Sequence, residues 1–293
     1  MMAPEYYVFT GRADERIPRR VTHVLIDKAR NFVPRRAFFM HQNIEEVLFH
    51  DGVETIEELA FSFCPNLRRV IMPGVKEVEQ DAFNNCRALS YIECGKLERI
   101  GEDAFSSCTS LSSVDLPSIQ NVERGVFASC TNLTSTNFGK GLESIGRRAF
   151  YNCPSLMRIT LPLKDGVITD DDTFQACVKL NHVDLVGGVH ETSAAFIMEE
   201  WKNDMNEEID STNRILPNTP AGTIRHLDAG EKAQAIREWI TSVLRKIILY
   251  KAEHRRYLIE AAATLQTALP NDIVFKNVLA FLELPSYTFQ GEN

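Results

Sequence analysis

The stretch Ile100–Pro117, IGEDAFSSCTSLSSVDLP, decides the fold, because Ile145–Pro162, IGRRAFYNCPSLMRITLP, repeats it nearly letter for letter. Working outward, one Phe recurs as Phe38, Phe61, Phe83, Phe105, Phe127, Phe150 and Phe174, at intervals of 22 to 24 residues. Three places after each stands Cys64, Cys86, Cys108, Cys130, Cys153 or Cys177, with His41 in that place in the first copy. Three places further comes Ile44, Leu67, Leu89, Leu111, Leu133, Leu156 or Leu180. A self-similar period of this size is the mark of a solenoid, whose units cannot bury their apolar side alone and do so by stacking.

Two periods alternate within each unit. Ile56, Ala60, Cys64 and Leu67 step by 4, 4 and 3, which predicts one face of a short helix. Val70 and Met72, Val114 and Leu116, or Ile159 and Leu161 step by 2, which predicts a strand with one buried face. Pro73, Pro117 and Pro162 close three of these strands, where a missing N–H matters least. Val21, with Val24 and Ile26, supplies a further strand at the N-terminal end.

With I-x-x-x-A-F-x-x-C-x-x-L-x-x-V-x-L-P as its unit, the chain resembles leucine-rich repeat proteins of the BspA-like type over residues 21 to 190. The resemblance implies an α/β leucine-rich repeat solenoid of about eight units, with a parallel strand ladder on its concave face, short helices on its convex face, and a protein-binding role. It implies no particular activity, since repeats of this kind serve unrelated partners.

The remaining residues divide around the repeats. Residues 1–20 form an N-terminal segment or cap. After Gly187-Gly188 the Phe and Cys ladders stop, so 191–293 is a helical extension. Ile197, Trp201, Met205 and Ile209 predict a helix over 192–215, and the seam Ile236, Ile240, Val243, Ile247, Tyr250, His254, Tyr257, Ala261 a second over 230–268. A short third helix is expected over 272–282, with Asn271 as N-cap. Residues 191–215 hold seven acids and two bases, and 231–260 seven bases and four acids, so net charges of −5 and +3 favour an antiparallel hairpin. The first of these helices is expected to cover the open end of the last coil, and the second to cover the first.

Composition sets bounds on function. The 293 residues carry a net charge of −8, which argues against a duplex nucleic-acid binder. The most apolar segment, Val243–Tyr250, is broken by Arg245 and Lys246, so no membrane span is expected. The first twenty residues lack the apolar core of a secretory signal, and the expectation is an intracellular protein of the cytoplasm or nucleus. Seven cysteines without metal-ligand spacing point to no zinc site, no cofactor and no disulfide framework; on the buried face of each coil a Cys behaves as a small apolar residue.

Other chemistry reads weakly. Asp170-Asp171-Asp172 lacks the spaced ligands of a calcium loop, and Gly139-Lys140-Gly141 lacks the frame of a phosphate loop. Cys177, His182 and His190 have no supporting acid at recognisable spacing, so no catalytic residue is assigned. His254 falls in the long-helix seam. Arg255 and Arg256, with Arg245 and Lys246, form a basic patch suited to anionic lipid or RNA, or to the acidic helix of the hairpin. Residues Leu269–Leu282 are similar to the opening of an F-box, too short for that domain. The expectation is therefore a non-catalytic scaffold that binds a protein partner through outward strand positions: Glu46, Arg69, Tyr91, Glu93, Ser113, Asp115, Asn137, Arg158, Thr160, His182 and Asp184. The alternatives are a ubiquitin-ligase substrate adaptor using the F-box-like end, or a regulatory subunit of an enzyme.

Overall fold

The computed structural model describes residues 5–12, 15–186, 198–211, 216 and 230–266. Each coil contributes one strand to a main ladder. Its first part holds β1 (Tyr6–Phe9), β2 (His23–Ile26), β4 (Glu46–Leu48), β6 (Arg69–Ile71) and β8 (Tyr91–Glu93). Its second part holds β10 (Ser113–Leu116), β12 (Ser135–Phe138), β14 (Arg158–Pro162) and β15 (His182–Val186). All pairings are parallel and in coil-to-coil register, for instance Val47 with Val70 and Ile159 with Val183. The two parts are separate sheets, dividing between β8 and β10. β1 lies in the segment read as an N-terminal cap, so the ladder begins one coil earlier than the repeat pattern shows.

The chain is an α/β leucine-rich repeat solenoid, but its convex segments are turns where short helices were expected. Two-residue strands β3 (Phe32–Val33), β5 (Thr55–Ile56), β7 (Glu77–Val78), β9 (Arg99–Ile100), β11 (Asn121–Val122) and β13 (Ser144–Ile145) form a second parallel ladder. Beyond it six coils bend through two left-handed residues four apart, such as Leu59 and Phe63 (both φ 59°) or Asp81 and Asn85 (φ 56° and 59°). A left-handed residue at every fourth position cannot propagate an α-helix. The freed N–H groups turn to the next coil instead: Phe61 donates to Ala82 at 2.7 Å and Phe63 to Asn84 at 2.8 Å. Only in the longest repeat does a 3-10 helix, η1 (Asp171–Phe174), appear among the coils. At Gly139 the coils approach so closely that a Cβ would lie 1.9 Å from the Pro117 carbonyl oxygen, which is why that turn carries glycine.

The core runs the length of the solenoid. The Phe rings stack coil on coil, at centroid distances of 4.7 Å for Phe38–Phe61, 5.1 Å for Phe83–Phe105 and 5.6 Å for Phe150–Phe174. Each Cys of the ladder reaches with Sγ the Phe carbonyl of the preceding coil: Cys64 to Phe38 at 3.1 Å, Cys108 to Phe83 at 3.3 Å, Cys177 to Phe150 at 3.0 Å. A Cys thus fills apolar space while offering a weak donor, which Ala or Val in that place could not do. In the first coil the His41 ring lies 3.2 Å from the Pro18 carbonyl oxygen, and burial lowers its pKa.

Among the described residues two helices follow, α1 (Glu199–Ile209) within the predicted 192–215 and α2 (Glu231–Gln266) within 230–268; the boundary near 190 and the third helix over 272–282 fall outside the described residues. They run antiparallel, since Glu208 meets Trp239 and Lys246 whereas Trp201 meets Tyr250 and Tyr257. Lys246 pairs with Asp204 at 3.1 Å and Glu208 at 2.9 Å, so the opposite charges of the two segments do face each other. Burial alone would lower the Lys246 pKa, but these two carboxylates raise it overall. Among the described residues, α2 bonds directly to the last coil. Lys232, 4% exposed, donates from Nζ to the Leu180 carbonyl at 2.6 Å, and Arg237 pairs with Asp171. The second helix thus contacts the last coil as well as α1.

Candidate functional site

On the main ladder the residues flanking each buried Val or Ile face away from the core, and the pairing register assembles them into two rows. The first row runs Tyr6, His23, Glu46, Arg69, Tyr91 on one sheet and Ser113, Ser135, Arg158, His182 on the other. The second runs Val8, Leu25, Leu48, Ile71, Glu93 and then Asp115, Asn137, Thr160, Asp184. All eleven positions named from the sequence therefore share one face, in two groups separated by the division between β8 and β10.

The N-terminal group is a linked chain of side chains. The Tyr6 ring lies 4.9 Å from that of His23, His23 Nε2 is 3.5 Å from Glu46, and Glu46 is 3.4 Å from Arg69. The Arg69 guanidinium sits over Tyr91 at 5.3 Å, and the Tyr91 hydroxyl reaches Glu93 at 3.4 Å. Contacts of this exposed kind contribute little stability singly, yet together they hold five strands' worth of polar and aromatic groups in place. Beside them runs an aliphatic row of Val8 (51% exposed), Leu25, Leu48 and Ile71. These four, with Tyr6, His23 and Ser135, are absent from the sequence-based set. Strand alternation at Glu46-Val47-Leu48 and Arg69-Val70-Ile71 already carries the signal for Leu48 and Ile71, since a buried central residue obliges both neighbours to face out.

The C-terminal group is polar. Asp184 accepts from Arg158 at 3.0 Å on one oxygen and stands 3.0 Å from His182 Nε2 on the other, and Thr160 donates to Asn137 at 3.0 Å. An open groove of about 530 Å³ follows the row, lined by Thr134, Ser135, Met157, Arg158, Asn181 and His182. Ser135 and His182 are two strands apart, roughly 9.6 Å along a ladder of this spacing, with Arg158 between them. They cannot share a proton as nucleophile and base. Cys177 is 1% exposed with its Sγ on the Phe150 carbonyl, away from His182. The acids of Asp170–Asp172 are engaged within the fold: Asp170 caps η1, Asp171 holds Arg237, and Asp172 holds Arg147 and Arg148. Among the described residues no group of three or more His, Cys, Asp or Glu side chains could hold a metal ion, and no helix is long and apolar enough to cross a membrane.

Stacked coils with a bare, side-chain-lined ladder face define a repeat scaffold. The family model for the BspA type leucine rich repeat region matches residues 31–156 and 98–202 in 6 copies, and the chain belongs to that family. No curated protein is significantly similar to it. Among solved structures it is similar to a leucine-rich repeat protein from Bacteroides ovatus (23% identity, TM-score 0.47), covering 59% of this chain and 47% of that one. It is also similar to the leucine-rich repeat protein of T. pallidum (25% identity, TM-score 0.37; 62% of this chain, 69% of that one) and to the pneumococcal vaccine antigen PcpA (16%, TM-score 0.33; 62% and 66%). The chain thus spans about half the length of the Bacteroides protein.

Proposed function

We propose that this protein is a non-catalytic scaffold that binds a protein partner through its main ladder face. The observation that carries the reading is the linked row Tyr6–His23–Glu46–Arg69–Tyr91 beside the aliphatic row Val8–Leu25–Leu48–Ile71. An apolar strip bordered by pre-positioned polar and aromatic groups is the anatomy of a protein-binding surface. Its aliphatic groups add nothing to the core, and its polar groups have no reacting partners. The seven free, buried thiols suit a reducing, intracellular setting.

The test is combined charge reversal at Arg69, Glu93, Asp115 and Arg158 in the full chain. Affinity purification from native cells should recover a partner with the unaltered protein and lose it with the variant, while circular dichroism stays the same. Retention of the partner by a folded variant refutes the ladder as the binding face. Recovery of ligase subunits would instead favour the adaptor reading, whose F-box-like residues 269–282 lie outside the described residues.

A further inference from the structure

The second left-handed position of each convex turn forms a column that runs along the solenoid. From the third coil onward it holds Asn85, Ser107, Ser129, Asn152 and Ala176, all with φ between 57° and 64°. Asn, Ser and Ala are small there, and Asn adopts this conformation more readily than any residue but glycine. The first two coils place Met40 and Phe63 in the same column, both with φ 59°. Bulky side chains are disfavoured there, and burial does not compensate, since Met40 is 55% and Phe63 45% exposed. Phe39, 36% exposed, packs edge-on against Phe63 at 6.1 Å, with the Arg36 guanidinium 5.5 Å from its ring. Two neighbouring coils therefore carry exposed apolar groups at positions where folding by itself favours a small polar residue.

The surroundings carry a basic excess on the first coil, where Arg35 is paired with Glu58 of the second. Residues 12–43 contain eight bases and three acids, a net of +5 in a chain whose total is −8. Asn43 donates to the Arg19 carbonyl at 2.6 Å and His41 lies against the Pro18 carbonyl, which puts residues 18–19 beside the Phe39–Asn43 turn, with the exposed Arg16 two residues before them and Arg20, after them, paired with Glu5. Met40 and Phe63 stand one coil apart, roughly 4.8 Å, close to the 5.4 Å pitch of an α-helix.

We propose that Phe39, Met40 and Phe63, rimmed by Arg16, Arg19 and Arg36, form a second docking site, on the convex corner of the first coils, for an acidic amphipathic helix of a partner protein. Apolar side chains one turn apart on that helix lie along the Met40–Phe63 column, and its carboxylates meet the arginine rim. Charge decides between this occupant and an anionic membrane: the rest of the chain, at −13, would be repelled by a broad anionic surface but not by a short segment confined to the corner.

The test uses the full chain and a fluorescein-labelled acidic peptide of about twelve residues bearing Phe and Leu one helical turn apart. The key variant is Met40→Asn with Phe63→Asn, which installs the residue type of the other coils and should leave the melting temperature unchanged or raised. Binding to the unaltered protein should weaken with salt, and fall at least about tenfold in the double variant and in Arg16→Glu with Arg19→Glu. Reversal of Arg69, Glu93, Asp115 and Arg158 should leave it unchanged, which separates this site from the ladder face. The proposal is overturned if the peptide does not bind, if the double variant binds it equally well, if the ladder variant abolishes binding, or if phosphatidylserine vesicles capture the protein through the same residues. A large drop in melting temperature for the double variant would also overturn it, by showing that Met40 and Phe63 serve the fold.

Discussion

Mild alkali should unfold this protein. Cys86, Cys94, Cys108, Cys130 and Cys153 are at most 4% exposed, and burial raises each thiol pKa, to about 12 for Cys94 and Cys130 and well above its usual value for Cys86, Cys108 and Cys153. In the unfolded chain a thiol titrates near 8.5. Between those limits the unfolded state has released protons that the folded state retains, so stability fully present below about pH 8.5 drains away as pH rises. While pH stays below the folded values, the loss depends only on the unfolded one. At about pH 9.5 it is on the order of 1 kcal/mol per thiol, or several kcal/mol for the five together, comparable to a typical domain's whole stability. Tyr7 and Tyr250, both pushed up to about 12 by burial and then by Glu15 and Asp204, act in the same direction only at higher pH. The assay is urea unfolding followed by circular dichroism at about pH 7.5, 8.5 and 9.5 with reductant present. The unfolding free energy should collapse across the last interval. Cys130→Ala should cost stability at neutral pH yet shallow the alkaline slope by about a fifth. A stability flat up to about pH 9.5, or a slope indifferent to Cys130→Ala, would refute the reasoning.

Three further outcomes follow from the packing. Phe105→Ala removes a ring stacked between Phe83 and Phe127, at 5.1 and 5.8 Å, and should cost about 3–5 kcal/mol in urea unfolding, the range for a large buried aromatic cut to Ala. Cys108→Ser should be tolerated better than Cys108→Ala, because the hydroxyl can still donate toward the Phe83 carbonyl, which also accepts the Cys86 N–H at 3.2 Å; the expected gap in denaturation midpoint corresponds to about 1 kcal/mol. Lys232→Met keeps the apolar stem but leaves the Leu180 carbonyl without the bond from Nζ, and should speed hydrogen exchange in β15 while the amides of β2 and β4 stay protected, since coils couple chiefly to their neighbours.

The repeats were legible because every coil meets the same demand, and seven Phe residues in register leave little freedom of interpretation. The helix reading of the convex side failed for a physical reason. Ile56, Ala60, Cys64 and Leu67 all reach 0% exposure, as their 4-4-3 spacing requires. That spacing reports which side chains face inward, and both a helix and a pair of left-handed corners deliver it. What distinguishes them is where the backbone N–H groups go, and here they go to the next coil. The candidate face shows the same limit. Its polar members were readable, whereas Leu48 and Ile71 resembled core because apolar character was equated with burial.

The two ends of the solenoid were the least legible parts, since each is closed by polar groups that bond largely to backbone atoms. At the start, Glu15 gathers the Tyr7 hydroxyl at 2.7 Å and the N–H groups of Thr10 and Arg12 at 2.9 and 3.1 Å, which lowers its pKa despite burial and ties the loop to β1. At the finish, Lys232 satisfies a carbonyl of the last coil. Charge counting correctly paired α1 with α2 through Lys246, because both partners there are side chains. It was blind to Lys232, whose partner is a main-chain oxygen with no signature in the sequence, and so the contact of α2 with the last coil was not foreseen. An open coil has unpaired backbone along its edge as well as an apolar face. The residue that seals it is therefore selected by geometry at the edge, and hydrophobic periodicity, which identified the buried positions between the two ends, carries no information about it.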